Sequence, residues 1–258
     1  MKEPKKGTVV ISVDDGCADS YRFYELLNRY QMGATFNIVT SMIGESSHLS
    51  LEQLQKIIED PLMEIACHGH THKNDSEDIK QANKVLFQWK NGPGELIGFA
   101  SPGSRMKRTY VCENEKELKD LGLLYVRSSQ NSILEPRHCQ LKSKLQAEGF
   151  SNYVLQNVSQ LVYDFSDMFV PSVVICHDTE PEDLKTLVSL AAQEKATIVF
   201  MFHRIKMENE EKYDDIWSYD FSKAENFLKF LSETQKCGTI DILTTREAFL
   251  KYRKSFAR

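Results

Sequence analysis

The hydrophobic residues of this chain fall into short, almost continuous runs that alternate with stretches of helical spacing. Thr8-Val-Val-Ile-Ser-Val13 is β-branched nearly throughout, which suits a strand covered on both faces of a parallel sheet. From Ser20 to Tyr30, Tyr21, Tyr24, Leu26, Leu27 and Tyr30 recur at roughly helical intervals, and Gly33 supplies a stop before a second strand, Ala34–Val39. Ser50 opens a helix with a capping-box variant and an apolar face of Leu51, Leu54, Ile57 and Ile58, and Met63–Cys67 reads as the third strand. A helix over Ser76–Trp89, a turn at Asn91–Gly94, a strand over Leu96–Ala100, a helix near Asn114–Leu121 and a strand over Leu123–Val126 continue the alternation. The pattern loosens between Arg127 and Asp167. It returns with a strand over Val173–Cys176, a helix over Glu180–Gln193, a strand over Thr197–Phe202, a helix over Phe221–Thr234, a strand over Thr239–Leu243 and a closing helix from Thr245.

Repeated βα units over 258 residues predict a single α/β domain, 1–258, with an irregular insertion around 128–168. The sheet is parallel, open or closed into a barrel, with right-handed crossovers. In both forms functional groups gather at the carboxyl ends of the strands. Four polar motifs stand there: Asp14-Asp15-Gly16 after the first strand, Cys67-His-Gly-His-Thr-His72 after the third, Ser101-Pro102-Gly103 after the fourth, and His203 after Thr197–Phe202.

Three histidines within five residues point to a metal, because imidazole is the commonest ligand of zinc-type ions. His68 and His72, four residues apart, reach one ion from the same side of a turn, while His70 points elsewhere. Adjacent aspartates cannot both face one ion. One of the pair completes a two-histidine, one-carboxylate set with open positions for water and substrate; the other stands close enough to act as a general base. The Gly103 N–H is placed to donate to an oxyanion, and His203 to protonate a leaving amine, with His177 in Ile175-Cys-His-Asp178 a rival for that role.

Composition narrows the partners. A formal net charge of -5, with no block of like charge, argues against a nucleic-acid surface. No window approaches the roughly eighteen apolar residues of a membrane helix, and Met1–Gly7 has no apolar core, so a soluble, cytoplasmic protein is expected. The six scattered cysteines form no CxxC pair and read as reduced thiols.

Ser12-Val-Asp-Asp-Gly16, Gly33-Ala-Thr-Phe-Asn-Ile-Val39, Leu51-Glu-Gln-Leu54, Glu64-Ile-Ala-Cys-His-Gly-His-Thr-His72 and Phe99-Ala-Ser-Pro-Gly103 resemble, in order and spacing, the polysaccharide deacetylases with a NodB homology domain. Phe202-His-Arg-Ile205 and Ile240–Ala248 are similar to that family's last strands, so the resemblance spans nearly the whole chain. It implies a deformed (β/α) barrel of about seven parallel strands that removes acetyl groups from an N-acetylated sugar or glycan with a divalent metal, usually zinc. It also implies roles: Asp14 as catalytic base, Asp15, His68 and His72 as metal ligands, the Gly103 amide as oxyanion donor and His203 as acid. Ala100 stands where the family often has an arginine that braces the base, as in a FAYP-type branch, and Arg127 is the expected substitute. Val13 replaces a usual Phe. Trp89 and Trp217 read as core or rim residues, with Trp217 a candidate to line a sugar site. Two other readings accompany this one: hydrolysis of another amide, such as a cyclic ureide or imide, and a carbohydrate-binding protein that keeps the fold without activity.

Overall fold

The computed structural model describes residues 6–89, 96–129, 167–208, 210 and 216–256. The strands are β1 (Gly7–Val13), β2 (Ala34–Ile38), β3 (Met63–Cys67), β4 (Ile97–Ala100), β5 (Leu123–Ser129), β6 (Phe169–Val174) and β7 (Thr197–Phe202), followed by the short β8 (Arg204–Lys206) and β9 (Ser218–Asp220), and finally β10 (Ile240–Leu243). The helices are α1 (Ser20–Arg29), α2 (Leu51–Glu59), α3 (Ser76–Trp89), α4 (Arg108–Glu113), α5 (Glu115–Asp120), α6 (Pro181–Glu194), α7 (Phe221–Lys236) and α8 (Thr245–Phe256). The irregular insertion expected around 128–168 and the turn at 91–94 lie outside the described residues.

Strands β1 to β7 run parallel in sequence order, and pairing of β1 with β7 closes them into a barrel. β1, β2, β4, β6 and β7 are buried at every position, which explains why they read as continuous apolar runs without alternation. The barrel is irregular on one side of β1. There Gly7–Val10 pair with β10, whereas Ser12 and Val13 pair with β2. Among the described helices none is long and apolar enough to cross a membrane.

Helix boundaries follow local chemistry. At α2 the Ser50 hydroxyl accepts from the Gln53 N–H at 3.1 Å while Gln53 returns a carbonyl oxygen to the Ser50 N–H at 2.9 Å, a full capping box. The helix expected near Asn114–Leu121 is α5, and a second short helix, α4, precedes it. Asn114 leaves helical geometry (φ -112°, ψ 20°) and its side chain donates to the Tyr110 carbonyl at 2.8 Å, an alternative that asparagine offers the backbone. The strand expected over Val173–Cys176 lies earlier, at Phe169–Val174. Pro171 falls in the part of β6 that pairs with β5, and pairing with β7 begins only at Val173, so the proline does not interrupt both ladders.

The amino-terminal end of the barrel is sealed by a buried polar cluster. Glu64 at the start of β3 accepts from the hydroxyls of Thr35 and Tyr125 and from the Arg246 N–H, each at 2.8 Å, and Thr35 also bonds Thr245. Burial raises the Glu64 carboxyl above its usual range despite these donors. Tyr125 needs the room left by Gly98, since a Cβ there would lie 2.1 Å from its Cζ and Oη. Gly98→Ala should therefore destabilise the fold by about 3 kcal/mol by displacing that ring, measured as a lowered denaturant midpoint.

Candidate metal and hydrolase site

The opposite, carboxyl-terminal end of the barrel carries the titratable groups. Asp14 directly follows β1, and its N–H donates to the Phe202 carbonyl at 2.9 Å, which ties the end of β1 to the end of β7. The next residue, Asp15, adopts a left-handed backbone (φ 71°), and it faces the histidines while Asp14 takes Arg127 and Asn37. His68 follows β3 with its N–H on the Ile38 carbonyl at 3.0 Å, and Ser101 follows β4 with its N–H on the Arg127 carbonyl at 2.8 Å.

Asp15, His68 and His72 offer ligand atoms that all lie within 4.8 Å of one another. Asp15 Oδ1 is 3.3 Å from His68 Nε2 and 3.6 Å from His72 Nε2, and the two imidazole nitrogens are 3.2 Å apart. His68 Nδ1 lies 2.8 Å from the Ala100 carbonyl, which can only accept, so that nitrogen carries the proton. In the neutral ring Nε2 is then a bare lone pair directed at another imidazole and a carboxylate. A divalent cation is the partner that satisfies such a set, and the donors suit zinc-type ions. Burial opposes ionisation of Asp15, yet the hydrogen bond and charge of His68 outweigh it and hold the carboxyl well below the usual range. Burial also works against charge on His68, but Asp14 and Asp15 prevail and raise it, whereas burial and the neighbouring His68 lower His72.

The histidine loop is shaped by a residue the sequence reading did not single out. Asp78, in the first turn of α3 and 8% exposed, accepts from the N–H groups of His70 at 2.8 Å, Thr71 at 2.9 Å and Lys73 at 3.2 Å, and from the Thr71 hydroxyl at 2.6 Å. Gly69 is required beneath it, because a Cβ would lie 2.6 Å from Asp78 Oδ2 and its φ is 82°. His70 turns out of the donor set and bonds the Thr40 hydroxyl through Nδ1 at 2.9 Å. Burial pushes the Asp78 carboxyl up, but its donors push it further down, so its folded pKa lies below the unfolded one. Its contribution to stability is therefore present above the unfolded value of about 3.9 and is lost as pH falls through the depressed folded value. Asp78→Asn should cost about 1–3 kcal/mol at pH 7 and weaken metal binding, with a shallower acid limb in a plot of unfolding free energy against pH.

Asp14 is 2% exposed. Its Oδ1 accepts from Arg127 Nη2 and, at 2.8 Å, from Asn37 Nδ2, which also reaches the Ser12 hydroxyl at 2.8 Å. Its Oδ2 lies 3.8 Å from His68 Nε2 and 3.9 Å from His203 Nε2. Arg127 is itself 1% exposed and sits on β5, which pairs with neither β1 nor its neighbours, so its side chain crosses the barrel interior. Burial raises the Asp14 carboxyl, but Arg127, followed by His68 and His203, lowers it further, so it stays ionised. Asn37 was another unrecognised participant; its only sequence signal is an amide within a short, uncharged and fully buried strand.

The remaining candidates are placed as follows. His203 follows β7 and is stacked near Trp217, with ring centroids 5.0 Å apart. His177 follows β6 with an exposed side chain and its N–H on the Ile216 carbonyl at 3.1 Å. Gly103 is exposed and left-handed (φ 57°), in a loop pinned by Asn74, which donates to the Pro102 carbonyl at 2.9 Å and accepts from the Ser101 hydroxyl at 2.7 Å. Trp89, at the end of α3, packs at the edge of the main core. Cys67 is buried and its thiol is pushed up to about 12, which makes it unreactive beside the histidines.

Residues 1–125 match the family model described as polysaccharide deacetylase. Over 88 residues the chain is 32% identical to YxkH of Bacillus subtilis (strain 168), itself provisionally named a polysaccharide deacetylase; the stretch is 34% of this chain and only 29% of that relative's length. Among solved structures, a family 4 acetyl xylan esterase from Clostridium thermocellum, in complex with a cobalt ion, aligns with 94% of this chain and 90% of its own at 14% identity and a TM-score of 0.50. Peptidoglycan deacetylase PdaC from Bacillus subtilis aligns with 99% of this chain and 95% of its own at 15% identity and a TM-score of 0.48. At such identities the likeness to the esterase is one of fold. The sequence match to the polysaccharide deacetylase model covers the segment that carries Asp14, Asp15, His68, His72 and Gly103.

Proposed function

We propose that this protein is a metal-dependent hydrolase that removes N-acetyl groups from an amino sugar or glycan. The observation that carries the proposal is the adjacency of two groups on one rim: the convergent donors of Asp15, His68 and His72, and the buried Asp14 with His203 Nε2 at 3.9 Å. A divalent cation held by the three donors, most simply Zn2+, supplies Lewis acidity toward the acetyl carbonyl and toward a water.

The chain's own groups account for the proton movements. Asp14, kept ionised by Arg127 and positioned by Asn37, takes the proton of the attacking water. The Gly103 N–H meets the oxyanion of the tetrahedral intermediate. His203 then gives a proton to the amine nitrogen as the carbon–nitrogen bond breaks, and acetate departs. His203 is preferred to His177 because its Nε2 faces Asp14, whereas the His177 side chain is exposed.

Acetate release should be assayed across N-acetylated monosaccharide, nucleotide-sugar and oligosaccharide substrates, with zinc reconstitution and with chelator. Release that requires the metal supports the assignment. Absence of acetate from every class, with ring opening of a cyclic imide instead, would replace it by the other amide hydrolase activity.

A further inference from the structure

His203 is held in an unusual way for a proton donor. Its Nδ1 is buried and has no partner among the described residues, so no carbonyl or carboxylate orients the ring from behind. Its Nε2 is too far from Asp14 Oδ2, at 3.9 Å, for a hydrogen bond, and the ring leans on Trp217 at an interplanar angle of 40°. The direction of the imidazole is therefore set by the backbone that carries it. That backbone is a small parallel ribbon in which His203 immediately precedes β8 and Trp217 immediately precedes β9.

The ribbon is fastened on two sides. Inward, Ile205 and Tyr219 are buried in the main core, with the Tyr219 ring 5.7 Å from that of Phe202. Outward, it is gripped by the first turns of α1. Asp19 stands at the N-cap position of α1, yet its carboxylate makes no capping bond. Its Oδ2 faces Arg204 Nε at 3.3 Å and Lys206 Nζ at 3.6 Å, and its side chain is only 9% exposed. Three residues on, Arg22 donates to the Ile205 carbonyl at 3.4 Å and clasps both carboxylate oxygens of Glu210 at 3.1 and 2.8 Å. The loop that presents Asp14 and Asp15 thus continues directly into the element that holds the strand after His203.

We propose that Asp19 is a positioning residue: through Arg204 and Lys206 it sets the separation of His203 from Asp14, and so governs protonation of the departing amine. This rests on the assignment of His203 as the acid. Ile205 and Tyr219 keep the ribbon folded when Asp19 is removed, so the expected result is a shifted donor and not an unfolded protein. A proton is needed only where the leaving group is basic. When the carbon–nitrogen bond breaks, its electron pair passes to nitrogen, which must be protonated; a 4-nitrophenolate leaves as the anion.

The test compares the full, zinc-reconstituted chain with Asp19→Asn, Asp19→Ala and His203→Ala on an N-acetylglucosamine oligosaccharide and on 4-nitrophenyl acetate. Both Asp19 variants should lose about tenfold in kcat on the amide while KM and ester turnover stay within about twofold of the unaltered protein. His203→Ala should show the same pattern, enlarged. Unchanged amide turnover in the Asp19 variants, or an equal fall on amide and ester, would overturn the proposal. A readout independent of turnover is the imidazole NMR signal of His203, identified by its loss in His203→Ala. It should move in Asp19→Ala, and an unmoved signal rejects the positioning role. If the unaltered protein releases no acetate, or His203→Ala keeps full amide turnover, the functional reading fails and the NMR comparison alone decides the role of Asp19.

Discussion

Asp14→Asn is expected to lower acetate release from an N-acetylated sugar by about a thousandfold while the bound metal is retained. The amide is the same size as the carboxylate, and its oxygen can still accept from Arg127 and Asn37, so the pocket at 2% exposure should keep its shape. What it cannot do is take a proton from water. The donors of Asp15, His68 and His72 are untouched by the change, which makes metal content the internal control. Turnover near that of the unaltered protein, at full zinc occupancy, would remove Asp14 from the role of base.

Arg127→Met should have the largest effect on stability, about 3–5 kcal/mol, because it breaks a buried ion pair by deleting one partner. Both members are almost fully inaccessible, at 1% and 3% side-chain exposure, and water cannot replace the lost guanidinium. Methionine restores most of the volume next to Met201, so the loss reports the uncompensated Asp14 charge more than a cavity. Equilibrium denaturant unfolding measures it, and a loss below about 1 kcal/mol would show that Asn37 and the histidines suffice to hold the carboxylate. Turnover should fall as well, since burial then opposes the Asp14 charge without the guanidinium that is its strongest counterweight, and the carboxyl group is more readily protonated.

The barrel was legible because its strands are buried on both faces, and β1, β2, β3 and β7 appear in the sequence as apolar runs ending at aspartate, histidine or their neighbours. The rule that sites gather at the carboxyl ends of strands then picked out Asp15, His68 and His72, whose ligand atoms the fold brings within 4.8 Å of one another. What stayed hidden was the polar support of the site. Asn37 acts from within β2 on Asp14, and Asp78 acts from α3 on the backbone of the loop just before it, and neither lies in a pattern that periodicity detects. The β8–β9 ribbon escaped for a different reason. Its strands are three residues each, too short for any period to register, and they pair across more than a dozen positions. Asn114 separates α4 from α5 where its side chain takes the Tyr110 carbonyl, a local effect that leaves no periodic signal.

The divided edge of β1 carries a consequence for how the molecule is assembled. Gly7–Val10 find their partner in Ile240–Leu243, so β1 waits during synthesis for a strand that follows all the rest of the barrel in sequence. Until β10 arrives, half of that edge presents unpaired amides and carbonyls, and the Glu64 cluster lacks Thr245 and the Arg246 N–H. Contacts this distant along the chain close slowly, which makes the nascent protein vulnerable at the seam beside β1, the place where a chaperone or an intruding strand would engage it.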